Sequence, residues 1–336
     1  MVSIKDIAKA CGVSAATVSK ALHDQKDVGK ATKERIKRTA EEMGYFPNAA
    51  ARSLKTNRSN NIGVLYQDEA AMGLTHEYFA GVLNGLKTQA EKRGYDLTFI
   101  NTNLVGQKMS YLEHCRYRNF DGAVIVCASF EQPEVQELMS SKLPVVTIDY
   151  VHDSCTAVSS NNVKCMTDLM DYIIGMGHKK IAYIHGQEYS TVTRDRLAAY
   201  YRVMEAHGIE VTEGYIKSAR YLETEEVAER TKELLEMKDR PTCILFPDDM
   251  ALIGGLNVIR AKGLKIPKDI SIAGYDGSRL SQMLSPKLTT IKQDTDQIGK
   301  EAADRLISII EKPKTALMER VVIEGILLKG ESVGRV

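Results

Sequence analysis

No stretch of this sequence approaches the roughly 18 consecutive apolar residues that a membrane-spanning helix needs, so no such span is expected. The opening residues, Met1-Val2-Ser3-Ile4-Lys5-Asp6, lack the apolar core of a signal peptide, and a cytoplasmic location is expected. The six cysteines, Cys11, Cys115, Cys127, Cys155, Cys165 and Cys243, are scattered without a CxxC pair. Metal ligation needs clustered ligands, and a disulfide framework suits a smaller secreted chain; reduced, mostly buried thiols and no bound metal are expected instead. The motifs of nucleotide and catalytic chemistry are missing too. No G-x-G-x-x-G follows the apolar run at Ile62, and no G-x-x-x-x-G-K-[ST], H-E-x-x-H or G-x-S-x-G occurs. Gly81, Gly85 and Gly94 fall within or at the end of a helical stretch, and His76, His114, His178, His185 and His207 are dispersed. The adjacent Asp248 and Asp249 suit helix capping plus one ligand contact better than acid–base catalysis. Neither a cofactor nor an enzyme is expected.

What is present is an ordinary globular composition, 43% hydrophobic and 26% charged over 336 residues, long enough for at least two units with a large core. The formal charge of +1 hides an asymmetry. Residues 1–60 carry 12 Lys/Arg against 6 Asp/Glu, and the remainder 33 against 38. A small basic module precedes a larger, slightly acidic body, and a basic segment suits a polyanionic partner.

Ser3, with Asp6 three positions on, resembles a capping box opening a short helix that Gly12 ends. Ser14 caps a second helix, Ala15 to about Leu22. A third runs from near Lys30 to Met43, with Ile36 and Ala40 one turn apart on one face. Two short helices joined by a tight glycine turn suggest a helix-turn-helix. Ala8 is small where the helices cross, Gly12 permits the turn, and Val18 fills the space between them; a generic helical hairpin remains the alternative. In a helix-turn-helix the second helix enters the major groove of duplex DNA with its N-terminal residues on base edges. Here those are Ala15 and Ala16, with Thr17, Ser19 and Lys20 nearby. A lysine can donate to guanine and an alanine methyl can pack on thymine, while Ser14, Thr17 and backbone N–H groups suit phosphates. For Thr17 and Ser19, plain solvation or capping is equally open. Next, Pro47 ends what precedes it, Asn48 can cap, and residues 49–55 favour a helix of barely two turns, marginal in isolation. Leu54, flanked by Arg52, Lys55 and Arg58, suits a wedge between base steps in the minor groove; a flexible linker with an incidental leucine is the alternative.

The blocks Ile4-Lys5-Asp6-Ile7-Ala8, Gly12-Val13-Ser14, Thr17-Val18-Ser19, Pro47-Asn48, Ala51-Arg52-Ser53-Leu54 and Ile62-Gly63-Val64, in this order and spacing, closely resemble the lactose-repressor (LacI/GalR) family of transcription regulators. The resemblance implies a homodimer reading a pseudo-palindromic double-stranded operator through paired hinge helices. It places Leu54 on the family's intercalating leucine, and Ala15, Ala16 and Lys20 on its base-reading positions.

From Ile62 on, short β-rich runs (62–66, 95–101, 122–127, 145–149, then 180–185, 243–246 and 270–275) alternate with helical stretches (78–92, then 163–176, 195–207 and about 249–262). This alternation indicates parallel α/β sheets in two similar series. Gly177-His178-Lys179-Lys180-Ile181, Pro241-Thr242, Asp249, Gly254, Gly274-Tyr275-Asp276 and Leu288-Thr289-Thr290-Ile291 extend the resemblance over nearly the whole chain. It implies a helix-turn-helix headpiece plus a periplasmic-binding-protein-like α/β core of two Rossmann-like subdomains joined by three crossovers. The expected divisions are 1–47 for the headpiece, 48–60 for the hinge and 61–336 for the effector-binding and dimerisation domain. Within the last, the first subdomain takes about 61–160 and 291–320, and the second about 161–290 and 321–330.

Ligands of open α/β sheets sit beyond the carboxyl ends of the strands, where Asp149, Asp248, Asp249 and Asp276 fall, with Arg196 read as starting a helix. The family pattern implies that Arg196 and Asp276 hold the effector, that Tyr221 forms an aromatic wall and that Tyr78 and Phe79 line the first-subdomain side. A guanidinium fork and a carboxylate orient hydroxyls or a heterocycle, so a sugar or sugar derivative is the expected effector. There are departures. Asn161-Asn162 replaces the family's usual Asp-Asn, the loop Asp68–Leu74 is longer than usual, and no heptad tail follows the last strand near Val321–Leu328, so a dimer is expected. The function expected is a sequence-specific regulator, a repressor by type, under small-molecule control. The alternative, a sugar-binding protein without a DNA role, gives no reason for residues 1–60.

Overall fold

The computed structural model describes residues 2–46, 58–67, 73–104 and 106–336. The chain divides into two units, Met1–Ser59 and Asn60–Val336.

In the first unit, α1 (Ile4–Cys11) begins on the expected capping box. The Ser3 side chain accepts from the Asp6 amide, and the Asp6 carboxylate accepts from the Ser3 amide at 2.8 Å. Gly12 ends the helix with φ 63°, the left-handed conformation that a residue with a Cβ rarely takes. Ser14 then caps α2 (Ala15–Leu22), its hydroxyl accepting from the Thr17 amide at 3.1 Å. After Gly29 comes α3 (Lys30–Glu42). Ile7, Ala8, Cys11, Val18, Ala21, Ile36 and Ala40 form the buried centre of these three helices. Small Ala8 and Ala21 allow close approach, and Val18 is completely buried between their partners.

The second unit holds two parallel sheets. The first contains β1 (Asn61–Tyr66), β2 (Asp96–Phe99), β5 (Gly122–Cys127), β6 (Val145–Ile148), β7 (Thr156–Ser160) and β13 (Arg320–Ile323), in spatial order β13-β7-β6-β5-β1-β2. A small antiparallel hairpin, β3 (Asn103–Leu104) with β4 (Gln107–Lys108), lies beyond β2 in sequence. The second sheet contains β8 (Ile181–His185), β9 (Ile216–Ser218), β10 (Cys243–Leu245) and β11 (Ser271–Ala273), in order β11-β10-β8-β9. Finally β12 (Thr290–Lys292) pairs antiparallel with β14 (Ile326–Leu328).

Period-two side-chain alternation explains why both faces of each sheet are covered. Along β5, Val124 and Val126 point to the side of helices Glu77–Lys92 and Thr295–Glu311, while Ala123 and Ile125 point to the side of Tyr111–Tyr117 and Pro133–Met139. Along β8, Ile181 and Tyr183 meet helices Asn162–Gly175 and Thr191–Ala206, while Ala182 and Ile184 meet Thr224–Glu236 and Leu252–Ala261. Helices Glu77–Lys92 and Thr295–Glu311 cross backbone to backbone: a Cβ at Gly85 would lie 2.1 Å from the Asp296 carbonyl oxygen, and one at Gly299 2.0 Å from that of Val82.

Three expectations are corrected. The run 321–328 is not one strand, and residues 321–323 do not belong to the second half. Arg320–Ile323 pairs with β7 in the first sheet, and only Ile326–Leu328 pairs with β12. The chain changes sheets at Gly325, where a Cβ would lie 2.7 Å from the Cys165 sulfur; the apolar runs on either side are parted only by Glu324-Gly325 and so read as one strand. Arg196 does not start its helix, which begins at Thr191 on a Ser190 cap and puts Arg196 in the second turn. The strand expected over 95–101 shortens to Asp96–Phe99; at its start the Tyr95 amide still donates to the Ala90 carbonyl of the preceding helix at 2.9 Å. Among the described residues, no helix is long and apolar enough to cross a membrane.

Candidate functional site

Two places collect the residues singled out by sequence. On α2, Ser14, Ala15 and Ala16 are exposed and Thr17, Ser19 and Lys20 are half-buried. Ser14 and Thr17 are also bonded to one another through their hydroxyls at 2.8 Å, so the cap occupies one bond of each. The Lys20 ammonium donates to the Asp27 carboxylate, an exposed ion pair that holds the Asp27 carboxyl below its ordinary range. Arg52, Leu54 and Lys55 lie outside the described residues.

In the second unit, a cavity of about 450 Å³ opens at the carboxyl ends of both parallel sheets, within the ~300–1,000 Å³ range of small-molecule sites. Tyr78, Phe79, Asp149, Arg196, Tyr221, Asp248 and Asp276 all line it. Residues about 200 positions apart are thus brought to one site, because each follows a strand or lies in the first two turns of a helix at the same edge.

Arg196 is 3% exposed. Its Nε donates to Asn162 Oδ1 at 2.9 Å and its Nη1 to the Pro247 carbonyl at 3.3 Å. The guanidinium carbon stands 3.5 Å from the centre of the Tyr275 ring, a cation–π contact. Burial opposes the charge, but Tyr275, Tyr221 and Asp276 outweigh it and raise the pKa. The Asn161-Asn162 departure has a structural consequence: Asn161 caps the helix through the Lys164 amide, while Asn162 holds Arg196 in place.

The carboxylates differ in their surroundings. Asp276 Oδ1 accepts from Gln293 Nε2 at 2.7 Å; burial raises its pKa against the pull of Arg196. Asp149 accepts from the Tyr78 hydroxyl and, at 3.3 Å, from the Ser160 amide; burial raises its pKa as well. Both residues have positive φ, 55° for Asp149 and 99° for Asp276, a conformation that non-glycine residues adopt at a cost and that gathers at functional sites. Asp248 is built into the backbone, its two oxygens accepting from the amides of Leu222 at 2.9 Å and Ala251 at 2.7 Å. Burial, then the Asp276 charge, push it to about 6. Asp249 lies off the cavity, accepting from Thr290 Oγ1 and the Ser278 amide, each at 2.8 Å, and the same two causes push it to about 8.

The aromatic side is richer than the sequence suggested. Phe130 and Tyr150 stack face to face, centres 3.9 Å apart and planes within 2°; both line the cavity. Tyr150 directly follows Asp149, and Phe130 follows β5, so the rule about carboxyl ends of strands pointed at both; their pairing, 20 positions apart, had no local signal. Gln293 is a second omission, delivered by the segment that returns to the first sheet. Tyr221 closes the opposite wall, bonded to Thr193 at 2.8 Å and packed on Gly186, where a Cβ would lie 2.2 Å from its ring. A contact ties the cavity's walls directly, Thr191 Oγ1 donating to the Asp149 carbonyl at 2.8 Å; off the cavity, the Arg279 amide donates to Glu77 at 2.9 Å. Five cysteines are buried, while Cys127 reaches the cavity wall. Among the described residues, no group of three or more His, Cys, Asp or Glu is placed to hold a metal ion.

Comparison with known proteins bears on both places. Residues 3–48 match the family of bacterial regulatory proteins described as the lacI family, and residues 170–333 match the periplasmic binding protein-like domain. The chain is 32% identical over 330 residues to the HTH-type transcriptional repressor PurR of Photobacterium profundum, covering 96% of each protein. The fold superposes with a TM-score of 0.82 on the lac repressor dimer bound to operator and the anti-inducer ONPF, at 22% identity and 99% coverage of both chains. It superposes with a TM-score of 0.71 on the transcriptional regulator CelR–cellobiose complex, at 23% identity, with 99% of this chain and 100% of that one covered.

Proposed function

Since the chain belongs to the lacI family and is a sequence-specific DNA-binding regulator under small-molecule control, we propose that it works as a cytoplasmic homodimeric repressor on a pseudo-palindromic operator, and that its effector is an uncharged sugar or sugar derivative held in the cavity at the strand ends. The reading without a DNA role fails on the match of residues 3–48. The chain is a regulator, not an enzyme.

On the operator, α2 enters the major groove. Ala15 and Ala16 offer methyl groups to thymine and Lys20 a donor to guanine, while Ser14, Thr17 and Ser19 serve phosphates and the helix start. Arg52 and Lys55 neutralise the backbone around Leu54, which wedges into the minor groove at the centre of the site. Exposure of Ser14, Ala15 and Ala16 supports the first part; the hinge assignment rests on the sequence.

The observation that carries the effector assignment is the composition of the cavity. The lining holds Glu131, Asp149, Glu223, Asp248 and Asp276 against Arg196 and Arg220. Arg220 is already engaged by Glu226 at 2.7 Å. A phosphate or carboxylate placed there meets this acidic surplus. Hydroxyl groups do not: they donate to Asp276 and accept from Arg196, while the stacked Phe130–Tyr150 pair and Tyr221 cover the apolar faces of a sugar ring.

Tyr78, Phe79, Asp149 and the aromatic stack come from the first half, and Arg196, Tyr221 and Asp276 from the second. A ligand bridging them favours one relative arrangement of the halves, and it changes operator affinity only through its different affinity for the two arrangements. The test is a thermal-shift and operator-binding screen of the full-length protein with neutral mono- and disaccharides, their phosphates and purine bases. Stabilisation by a neutral sugar, through mass action, together with a change in operator affinity, is the expected result. A response to sugar phosphates alone overturns the assignment.

A further inference from the structure

The groove-facing surface of α2 is short of hydrogen-bonding groups. Its exposed leading residues, Ala15 and Ala16, carry only methyl groups, and the Ser14 and Thr17 hydroxyls bind each other. Lys20 is one turn beyond Ala16, on the same face, and is the long donor of that face. Its ammonium is held by Asp27, in the segment between α2 and α3. The nearby Asp24 is held elsewhere, by Lys37 of α3 at 2.7 Å. Because Lys20 reaches Asp27, the Asp27 carboxylate sits on the side of the headpiece that α2 presents to DNA, where a negative charge repels phosphates.

We propose that Asp27 is a specificity-determining residue, one that keeps Lys20 off the phosphates of non-cognate DNA while leaving it able to meet a guanine edge. The proposal rests on α2 being the DNA-reading helix. On an arbitrary sequence a free Lys20 settles on the nearest phosphate and releases a counterion, binding that carries no sequence information. With Asp27 in place, that phosphate competes with a carboxylate already in contact, and the exchange gains little. Guanine O6 and N7 are uncharged acceptors, and an ammonium has three N–H donors, so Lys20 meets the cognate base while keeping its bond to Asp27; only an anionic phosphate has to displace the carboxylate. Asp27 therefore lowers non-specific affinity more than operator affinity and widens the ratio between them.

The test uses the full-length protein. An operator is first obtained by selection from random duplexes, and affinities are then measured across salt on that operator and on an unrelated duplex. The proteins compared are the wild type, Asp27→Asn, Asp27→Glu, Lys20→Ala and the double variant Lys20→Ala/Asp27→Asn. Asp27→Asn is expected to tighten binding to the unrelated duplex about fivefold, the upper range for an exposed ion pair, and to steepen its salt slope by about 0.9, one more phosphate contact. Operator affinity is expected to change by less than about twofold on the same scale. Asp27→Glu keeps the charge and is expected to behave as the wild type. In the Lys20→Ala background the Asp27→Asn effect is expected to vanish. Equal tightening on both duplexes, no change on either, or an undiminished effect without Lys20 overturns the proposal. Failure of the selection to enrich any sequence removes the DNA-reading assignment of α2 and this proposal with it, which sets that failure apart from the others.

Discussion

Replacing Arg196 by methionine keeps an apolar stem of similar reach and removes the guanidinium from the centre of the cavity. The structure sets the size of the loss. Arg196 makes hydrogen bonds at 2.9 Å to Asn162 and 3.3 Å to the Pro247 carbonyl, and lies 3.5 Å over Tyr275. Hydrogen bonds from a charged donor are worth about 1.5–3 kcal/mol each, and a desolvated cation–π contact about 2 kcal/mol. Against this, the variant avoids burying a charge, a relief of several kcal/mol, but it leaves the Asn162 and Pro247 acceptors without a donor. Removing one member of a buried charged set generally costs about 3–5 kcal/mol, and a net loss of about 3 kcal/mol is expected here. At roughly 2–4 °C per kcal/mol for a large domain, the midpoint of thermal unfolding falls by about 6–12 °C. Circular dichroism of the full-length variant gives that number. Fluorescence-anisotropy titration with operator gives the second arm, in which unliganded affinity is kept and the response to sugar is lost. A midpoint within one degree of the wild type, or a retained sugar response, refutes the reasoning, because Arg196 then neither holds the strand ends together nor meets the ligand.

Other perturbations have equally definite outcomes. Gly85→Ala forces a Cβ to within 2.1 Å of the Asp296 carbonyl oxygen, and overpacking of this kind costs about 1–3 kcal/mol; urea unfolding checks it, and an unchanged midpoint contradicts the backbone-to-backbone crossing. Asp248 and Asp249 have folded pKa values of about 6 and about 8, both above the ordinary 3.8. From about pH 4 upward the unfolded chain has lost these protons while the folded chain still holds them, so stability falls as pH rises, by up to about 1.4 kcal/mol per pH unit for each proton. Asp249→Asn is expected to flatten the decline between pH 6 and 8, the interval between the two values; the slope of stability with pH, rather than its level, is the readout, and an unaltered slope contradicts the assignment. Leu54→Ala is expected to weaken specific binding and abolish DNA bending in a gel-mobility assay without altering thermal unfolding, and unchanged bending removes the wedge.

Much of this was readable from residues alone where the determinants are local. Ser3 with Asp6, Gly12 and Ser14 mark the ends of α1 and the start of α2, because capping involves neighbours only. The near-continuous apolar runs Gly122–Cys127 and Ile181–His185 read directly as strands buried on both faces. The resemblance to the family then supplied residues of the cavity that no spacing reveals, since Tyr78 and Asp276 come together only through sheet topology. What stayed hidden is long-range. The exchange of sheets at Gly325 depends on Cys165, the stacking of Phe130 on Tyr150 depends on how β5 and β6 end side by side, and the use of both Asp248 oxygens depends on backbone amides at Leu222 and Ala251. The Lys20–Asp27 contact belongs to the same class: seven positions separate the two, and the turn after α2 brings them together.

The central claim, that residues 3–48 read a particular DNA sequence on behalf of a ligand-sensing body, is tested most directly by selecting bound duplexes from a random pool with the full-length protein, with and without neutral sugars. The account predicts enrichment of a pseudo-palindrome of two half-sites, an affinity that falls steeply with salt, and a shift in that affinity when a neutral sugar is added. A pool that emerges without sequence enrichment, or an affinity flat with salt, contradicts it.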